Sequence, residues 1–133
     1  MINAKKLYLE LLSDSRITDL VPEENILNSY PNKVEIFPCI IFLDENQNDV
    51  EYNDNKHSAD NCSAMIHIFS KKLEGYPTTS EIGIKIAEVM NEDLWNCSGN
   101  GEVSDPDPDA EHRVMVFNKS IYNNWNTFFE MEE

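Results

Sequence analysis

The sequence predicts an α+β fold: a small, antiparallel-dominated sheet of four to five strands with two main helices packed on it. Runs of apolar and β-branched residues at 37–43, 62–69 and 113–121 have the length and composition of strands. Apolar residues recur at helical spacing within 4–12 and 80–90. A chain of 133 residues that is 41% hydrophobic has the size of one domain with its own core. We therefore treat 1–133 as a single α+β domain.

The first third of the chain is predicted to hold a helix, a helical turn and two strands. The helical stripe within 4–12 consists of Ala4, Leu7, Tyr8, Leu11 and Leu12. A helical turn over 17–21 ends at Pro22, which cannot continue a helix. A short strand follows at 26–30 and a stronger one at 37–43. The second is almost continuously apolar, so both of its faces should be covered, and Pro38 should lie at its start because proline cannot donate to a ladder.

The stretch 62–94 is predicted to form a strand, a turn and an amphipathic helix that pack together. Side chains alternate along a strand, so Ala64, Ile66 and Ile68 should share one face, and Met65, His67 and Phe69 the other. The segment Thr78-Thr-Ser-Glu81 is typical of a capping box at a helix start. The helix then presents one apolar stripe, formed by Ile82, Ile86, Val89 and Met90.

The last third of the chain is predicted to contain an acidic loop, a final strand and an end segment. The turn signal Gly99-Asn-Gly101 and the prolines of Asp105-Pro-Asp-Pro-Asp109 predict a loop over 99–112. In the strand at 113–121, Val114 and Val116 should lie on one face and Met115 and Phe117 on the other. We expect the end segment 123–133 to be flexible, although Trp125, Phe128 and Phe129 have helical spacing.

A second acidic loop is predicted at 44–61, between two strands. Connections this long inside a compact domain usually have a function. Val50 and Tyr52 interrupt its polarity at alternate positions, which is the pattern of a strand that could add to a neighbour's sheet edge. The alternative is a solvated hairpin tip without a partner. The candidate assembly interface comprises residues from both acidic loops: Asp44, Glu45, Asp49, Val50, Glu51, Tyr52, Asp54, Asp105, Asp107 and Asp109.

The charge of the chain limits its partners. Twenty-five acidic and ten basic residues give a net charge of -15, which repels nucleic acid and anionic membranes. Such a charge favours a basic partner, or it only keeps the protein dissolved. The polar opening residues predict no secretory signal, and no apolar run is long enough for a membrane span. Three cysteines without a Cys-x-x-Cys pair predict reduced thiols.

The sequence offers no motif for catalysis, and we expect no enzyme, cofactor or metal. It has neither a nucleophile elbow nor a glycine-rich phosphate loop. Asp105-x-Asp107-x-Asp109 matches the first three ligand positions of an EF-hand. The match then fails, because Ala110 stands where glycine is needed and Val116 where a bidentate glutamate belongs.

The order of these elements resembles the small tail completion proteins, or tail-to-head joining proteins, of long-tailed bacteriophages, with related minor tail components and tail terminators. Two segments carry most of the resemblance. One is the opening helix Leu7-Tyr-Leu-Glu-Leu-Leu12 with the turn Ile17-Thr-Asp-Leu20-Val21, and the other is the strand Pro38-Cys-Ile-Ile41.

This resemblance implies a non-enzymatic virion protein that is made in the host cytoplasm. It would form a ring, expected to be a hexamer, at the head-proximal end of the tail, where it contacts the tail tube protein and the head connector. DNA would pass through the lumen without specific binding, because a negative lumen repels it. We expect the free protein to be monomeric or weakly associating. The alternative function is an acidic inhibitor or DNA mimic that binds a basic host protein.

Overall fold

A mixed, mostly antiparallel five-stranded sheet forms the centre of the molecule, which confirms the predicted α+β fold. The computed structural model describes residues 11, 13–49 and 59–122. The strand order is β1-β2-β3-β5-β4, and only the β1–β2 pair is parallel. The strands are β1 (Ile26–Leu27), β2 (Cys39–Asp49), β3 (Ala59–Lys71), β4 (Asn96–Val103) and β5 (Ala110–Tyr122). The helices are α1 (Ser15–Thr18) and α2 (Thr79–Glu92), and a 3-10 turn spans Glu23–Asn25.

Some sequence predictions lie outside the described residues. These are most of the helix at 4–12, the end segment 123–133, and the candidate interface residues Val50, Glu51, Tyr52 and Asp54. Of the predicted first helix, Leu11 is described, and it is helical and fully buried.

Helix α2 begins at the predicted capping box. The Thr78 hydroxyl accepts a hydrogen bond from the Glu81 amide at 3.0 Å, and the Glu81 carboxylate accepts one from the Thr78 amide at 2.9 Å. Two of the amides that a helix start leaves without partners are thereby satisfied. The predicted apolar stripe, Ile82, Ile86, Val89 and Met90, is buried against the sheet.

The main core lies between α2 and one face of the sheet. Ala64, Ile66 and Ile68 of β3 point into it, and so do Met115 and Phe117 of β5, as the strand alternation predicts. A Cβ atom on Gly83 would lie only 3.3 Å from the Met115 sulfur. Glycine at this position therefore allows α2 to approach β5 closely.

An ion-pair cluster on the surface joins the beginning of the described chain to the end of α2. The Arg16 guanidinium lies 2.8 Å from Asp14 and 2.7 Å from Glu92, with Glu88 at 3.8 Å. The hydrogen bonds to Glu92 and Asp14 raise the pKa of Arg16, and the same contacts lower the pKa of both carboxyls. The cluster ties α1 to α2 over the rim of the core.

The opposite face of the sheet carries a smaller apolar cluster. Cys39, Ile41 and Phe69 are buried there, and partly buried residues of the β1–β2 connection, Val34 and Phe37, pack on them. Strand β2 is thus covered on both faces where its sequence is continuously apolar, as predicted. Pro38 directly precedes the strand, and its carbonyl accepts a hydrogen bond from the Asn25 side chain at 2.9 Å.

The acidic loops predicted at 44–61 and 99–112 are shorter than expected. β2 continues to Asp49 and β3 begins at Ala59, so much of the first loop is paired strand. β4 runs through the Gly99-Asn-Gly101 turn signal to Val103, and β5 already begins at Ala110. The physical reason is that a ladder forms through backbone groups, which β3 and β5 supply regardless of side-chain polarity. The register shift between Cys97 and Gly99 is the bulge that an in-strand glycine often marks.

Leu94 follows the end of α2 in a strained conformation. Its φ of 68° is the left-handed region, and its side chain is 78% exposed. Because asparagine adopts this region more readily than leucine, we expect Leu94→Asn to raise the free energy of unfolding by about 1 kcal/mol. Urea titration would measure the change. Leu73→Asn is the control, since Leu73 is also exposed without a positive φ, and an equal gain there would contradict the role of strain.

Candidate assembly surfaces

The sheet extends beyond its core as a three-stranded arm. We define the arm as 44–49 of β2, 59–63 of β3 and 118–122 of β5. Its strands are in continuous register, from Asn46 opposite Ser63 to Asp49 opposite Asp60, and from Asn118 opposite Ser63 to Tyr122 opposite Ala59. A register shift between Asp44 and Asn46 marks its base on β2, and such bulges bend and twist a strand.

Both edges of the arm lack a neighbouring strand within the described part of the chain. β1 pairs with β2 only at Ile40 and Ile41, so β2 is an edge strand from Phe42 onward. On the other side, β4 begins opposite Asn118 and leaves the end of β5 uncovered. Such edges present rows of backbone N–H and C=O groups that can pair with another chain. The arm is therefore suited to adding strands from a partner.

The structure separates the predicted interface residues into two groups. Asp44, Glu45 and Asp49 belong to the arm, whereas Asp105, Asp107 and Asp109 lie in the β4–β5 connection. That connection follows the opposite end of the sheet, where Lys71 pairs with Ala110. Asp44 and Asp49 lie opposite Ala64 and Asp60, which are about 23 Å and 36 Å from Lys71 along β3 at 3.3 Å per residue. The two groups therefore form two distant surfaces and not one site.

The β4–β5 connection, which we call the acidic loop (104–109), is held by its own carboxylates. Asp105 accepts a hydrogen bond from the Asp107 amide, and Asp107 accepts one from the Asp109 amide, each at 2.9 Å. The second oxygen of Asp107 lies 3.2 Å from the Lys71 ammonium. The Asp109 amide and Lys71 lower the pKa of Asp107. One carboxylate oxygen of Asp105 and one of Asp107 thus accept the loop's own amides.

The residues that could hold a metal do not converge in the described part of the chain. No set of three or more His, Cys, Asp or Glu side chains there comes close enough to bind one ion. Cys39 and Cys97 are free thiols, and burial raises the pKa of Cys39 to about 11. A thiol with such a pKa is a poor nucleophile at neutral pH.

A groove with an aromatic floor lies on the second face of the sheet, between the β1–β2 connection and the acidic loop. Its volume is about 400 Å³. We call it the aromatic groove; its floor and walls include Tyr30, Val34, Phe37, Phe69, Pro106 and Ala110. Lys33 and Asp105 stand at its rim, and the Lys71 ammonium lies 4.4 Å from the centre of the Phe37 ring. Tyr30 is 47% exposed, so the groove offers apolar surface to solvent.

Two histidines stack beside the groove. The Nδ1 atom of His67 lies 2.9 Å from the Nε2 atom of His112, so one ring donates a hydrogen bond to the other. The His112 ring also stacks on Phe69 at 4.1 Å between centroids, and Tyr30 meets His67 edge-on at 5.2 Å. Burial lowers the pKa of both histidines, and for His67 the neighbouring His112 adds to the effect.

Because both histidines have lowered pKa values in the folded state, we expect stability to fall as the pH drops below about 6.5, the ordinary histidine value. In this pH range the unfolded chain binds protons at the two histidines more readily than the folded protein does, so protonation favours unfolding. Urea midpoints at pH 7.5 and 5.5 would measure the effect. A His67→Phe/His112→Phe variant keeps the stacked rings and should lose most of the difference. An unchanged difference in that variant would refute the assignment to this pair.

Sequence reasoning missed the histidine pair and the groove. It placed His67 on the correct strand face, with Phe69. His112, however, fell inside a predicted loop, and 45 residues separate it from His67. A strand prediction beginning at 110 would have placed His112 on the face of Val114 and Val116, but only the β3–β5 register brings it to Phe69.

The fold recurs in a known particle. A chain in the solved structure "Virion of native gene transfer agent (GTA) particle" superposes with a TM-score of 0.54 at 12% identity, over 88% of this chain and 92% of that chain. At this identity the likeness establishes a shared fold. No protein-family model matches the sequence, and neither does any curated protein. No helix in the described ranges is long and apolar enough to span a membrane.

Proposed function

We propose that this protein is a structural component of the virion of a long-tailed bacteriophage or a phage-like particle. In this role it forms a ring at the head-proximal end of the tail, completes the tail and joins it to the head connector. The observation that carries the proposal is the fold, which extends over nearly all of this chain and nearly all of a chain in a virion particle. The order of elements that resembles tail completion proteins supports the finer assignment.

The two distant surfaces suit a subunit that has neighbours on several sides. Among residues 13–49 and 59–122, β2 beyond Ile41 and β4 each have an edge without a neighbouring strand, and these two edges lie on opposite sides of the sheet and run antiparallel. An edge of one copy can therefore add to the other edge of the next copy. Contacts between two different surfaces of identical subunits close into rings when the rotation permits. We propose that the β2 edge of the arm pairs with the β4 edge of the next copy, and that the acidic loop faces the tail tube or the head connector.

The net charge of -15 also suits a channel through which DNA moves. A negative wall repels the phosphate backbone, so DNA would pass without specific binding. The same charge opposes association between free copies and is screened by salt.

We expect the purified protein to sediment as a monomer or a weak oligomer, with more association as salt is raised. Mutual repulsion between highly acidic subunits is the reason, and the end of the tail would supply the template for a ring. Sedimentation velocity at low and high salt would measure this. A tight dimer at micromolar concentration that does not respond to salt would contradict it.

The function is tested by producing particles without the protein and imaging them by negative-stain electron microscopy. The proposal expects separate heads and tails, with joining restored when the purified protein is added to the extract. Intact particles would refute it. They would favour the second candidate, an acidic inhibitor or DNA mimic, for which the net charge is the supporting observation.

A further inference from the structure

We propose that the aromatic groove of one copy receives the aromatic C-terminal segment, 125–129, of a second copy. The proposal deepens the ring described above and rests on it, because it supplies a specific contact between adjacent subunits.

The groove and the segment match in chemistry, because both are aromatic. The floor of the groove consists of Phe37 and Phe69, with Tyr30 half-exposed at its side. Aromatic pairs favour edge-to-face and offset contacts, and such contacts are the ones Tyr30 already makes with its neighbours. Trp125, Phe128 and Phe129 are spaced so that they would share one face of a helical turn. Docking of such a face into an apolar groove is a common mode of peptide recognition.

The segment of the same copy is too short to place all three of its rings in the groove. β5 leaves the groove region at Ala110 and ends at Tyr122, the far end of the arm. Twelve residue steps along a strand measure about 40 Å. Phe129 is seven residues beyond Tyr122 and extends at most about 25 Å from it, and Trp125 at most about 11 Å. Phe69, on the floor of the groove, lies opposite His112, ten residue steps or about 33 Å from Tyr122. Trp125 cannot approach it in the same copy, so the three rings can enter a groove together only on another copy.

Charges on the segment and at the groove also affect the contact. Glu130, Glu132 and Glu133 follow the aromatic residues and give this part of the chain three negative charges. Three of the chain's ten basic residues, Lys33, Lys71 and Lys72, stand at or beside the groove. Of the carboxylates there, Asp107 is paired with Lys71, and Asp105 accepts the Asp107 amide. Asp105, Asp107 and Glu35 thus offset the three lysines, so this rim repels a negative segment less than a chain of net charge -15 does on average.

The contact joins two copies and uses a different surface on each of them. Its segment follows one end of the sheet and its groove lies at the other, so each copy can give to one neighbour and receive from the next. A single such contact is weak, which agrees with weak association of the free protein, and it is reinforced when several copies are held together on a template.

The test measures binding of a synthetic peptide of residues 123–133 to ¹⁵N-labelled full-length protein. The labelled protein carries Trp125→Ser, Phe128→Ser and Phe129→Ser, so its own segment does not compete. We expect saturable amide shifts centred on Tyr30, Phe69 and Ala110. A peptide with the same three serine substitutions should cause none. Tyr30→Ala in the labelled protein should weaken binding about tenfold, whereas Tyr76→Ala, a matched exposed tyrosine outside the groove, should not.

Three outcomes would overturn the proposal. They are the absence of shifts at about millimolar peptide, a cluster of shifts elsewhere, and groove signals in the wild-type chain that already match the bound state and do not change on dilution. The last would mean that each copy fills its own groove. Peptide binding is measured on the protein alone, so its failure would leave the head–tail joining experiment unaffected, and the two proposals are judged separately.

Discussion

Replacing Ile86 by alanine is expected to lower the free energy of unfolding by about 2–5 kcal/mol. Ile86 lies in the middle of α2, is fully buried, and belongs to the core cluster between the helix and the sheet. Truncation removes apolar surface from the core and leaves a cavity that the surrounding residues fill only in part. Because small domains are stable by only about 5–15 kcal/mol, this one change removes a large share of the total. Urea unfolding followed by circular dichroism would measure it.

Ile84→Ala provides a control on the same helix. Ile84 is 56% exposed, and its truncation is expected to change stability by less than about 0.5 kcal/mol. Both substitutions replace isoleucine by alanine in the interior of α2, so helix propensity cancels between them. A loss at Ile86 no larger than that at Ile84 would mean that the packing of α2 on the sheet is misassigned.

Removing most of the arm is expected to abolish the joining of tails to heads while leaving the domain folded. In this variant a two-residue turn, Asn-Gly, replaces 45–63. The turn connects Asp44 to Ala64. These two residues lie opposite each other in the β2–β3 ladder, so a tight hairpin can connect them. The described members of both apolar clusters lie outside 45–63. Circular dichroism should therefore report a folded protein, and an extract complementation assay should report no joined particles.

A charge-neutral variant separates the backbone edge of the arm from its acidic side chains. Asp44→Asn, Glu45→Gln and Asp49→Asn keep the length of the arm and remove three charges. If strand pairing with a neighbour is the role of the arm, this variant should join tails to heads and the shortened protein should not. Full joining by the shortened, folded protein would exclude the arm as an assembly surface and leave it a hairpin without a partner.

The elements with strong local patterns could be predicted from the sequence. The capping box at Thr78 and the apolar stripe of α2 are signals within a few residues of one another, and alternation along 64–69 identified the buried face of β3. The arm could not be predicted in this way, because 44–49 and 59–61 are polar and carry no periodic signal. Their strand structure depends on partners that are distant in sequence, such as Asp60 opposite Ile121.

The same limit applies to the candidate surfaces. The turn signal at Gly99-Asn-Gly101 does not correspond to a loop, because this segment is part of β4 and pairs with β5. Gly101 lies opposite Val114. Sequence reasoning grouped all the acidic residues into one interface, because spacing along the chain does not reveal that the sheet separates the two groups by about 23–36 Å. The aromatic groove is lined by Phe69, the β1–β2 connection and the acidic loop. Neither the connection nor the loop has a sequence pattern that indicates the other.

The long central strand has a mechanical consequence. Every residue of β3, from Ala59 to Lys71, is paired with β5, and ten of them are also paired with β2. β3 and β5 each run from the acidic-loop end of the sheet into the arm, so their covalent backbones bear a force that pulls these two ends apart. Hydrogen bonds of an antiparallel ladder run perpendicular to the strands, so sliding one of these strands past its neighbour would load a whole row of bonds in shear. A force across the sheet instead meets the two-residue β1–β2 pair first, and that pair can peel away without disturbing the rest. Tension along the strands is thus the direction in which this domain resists rupture best.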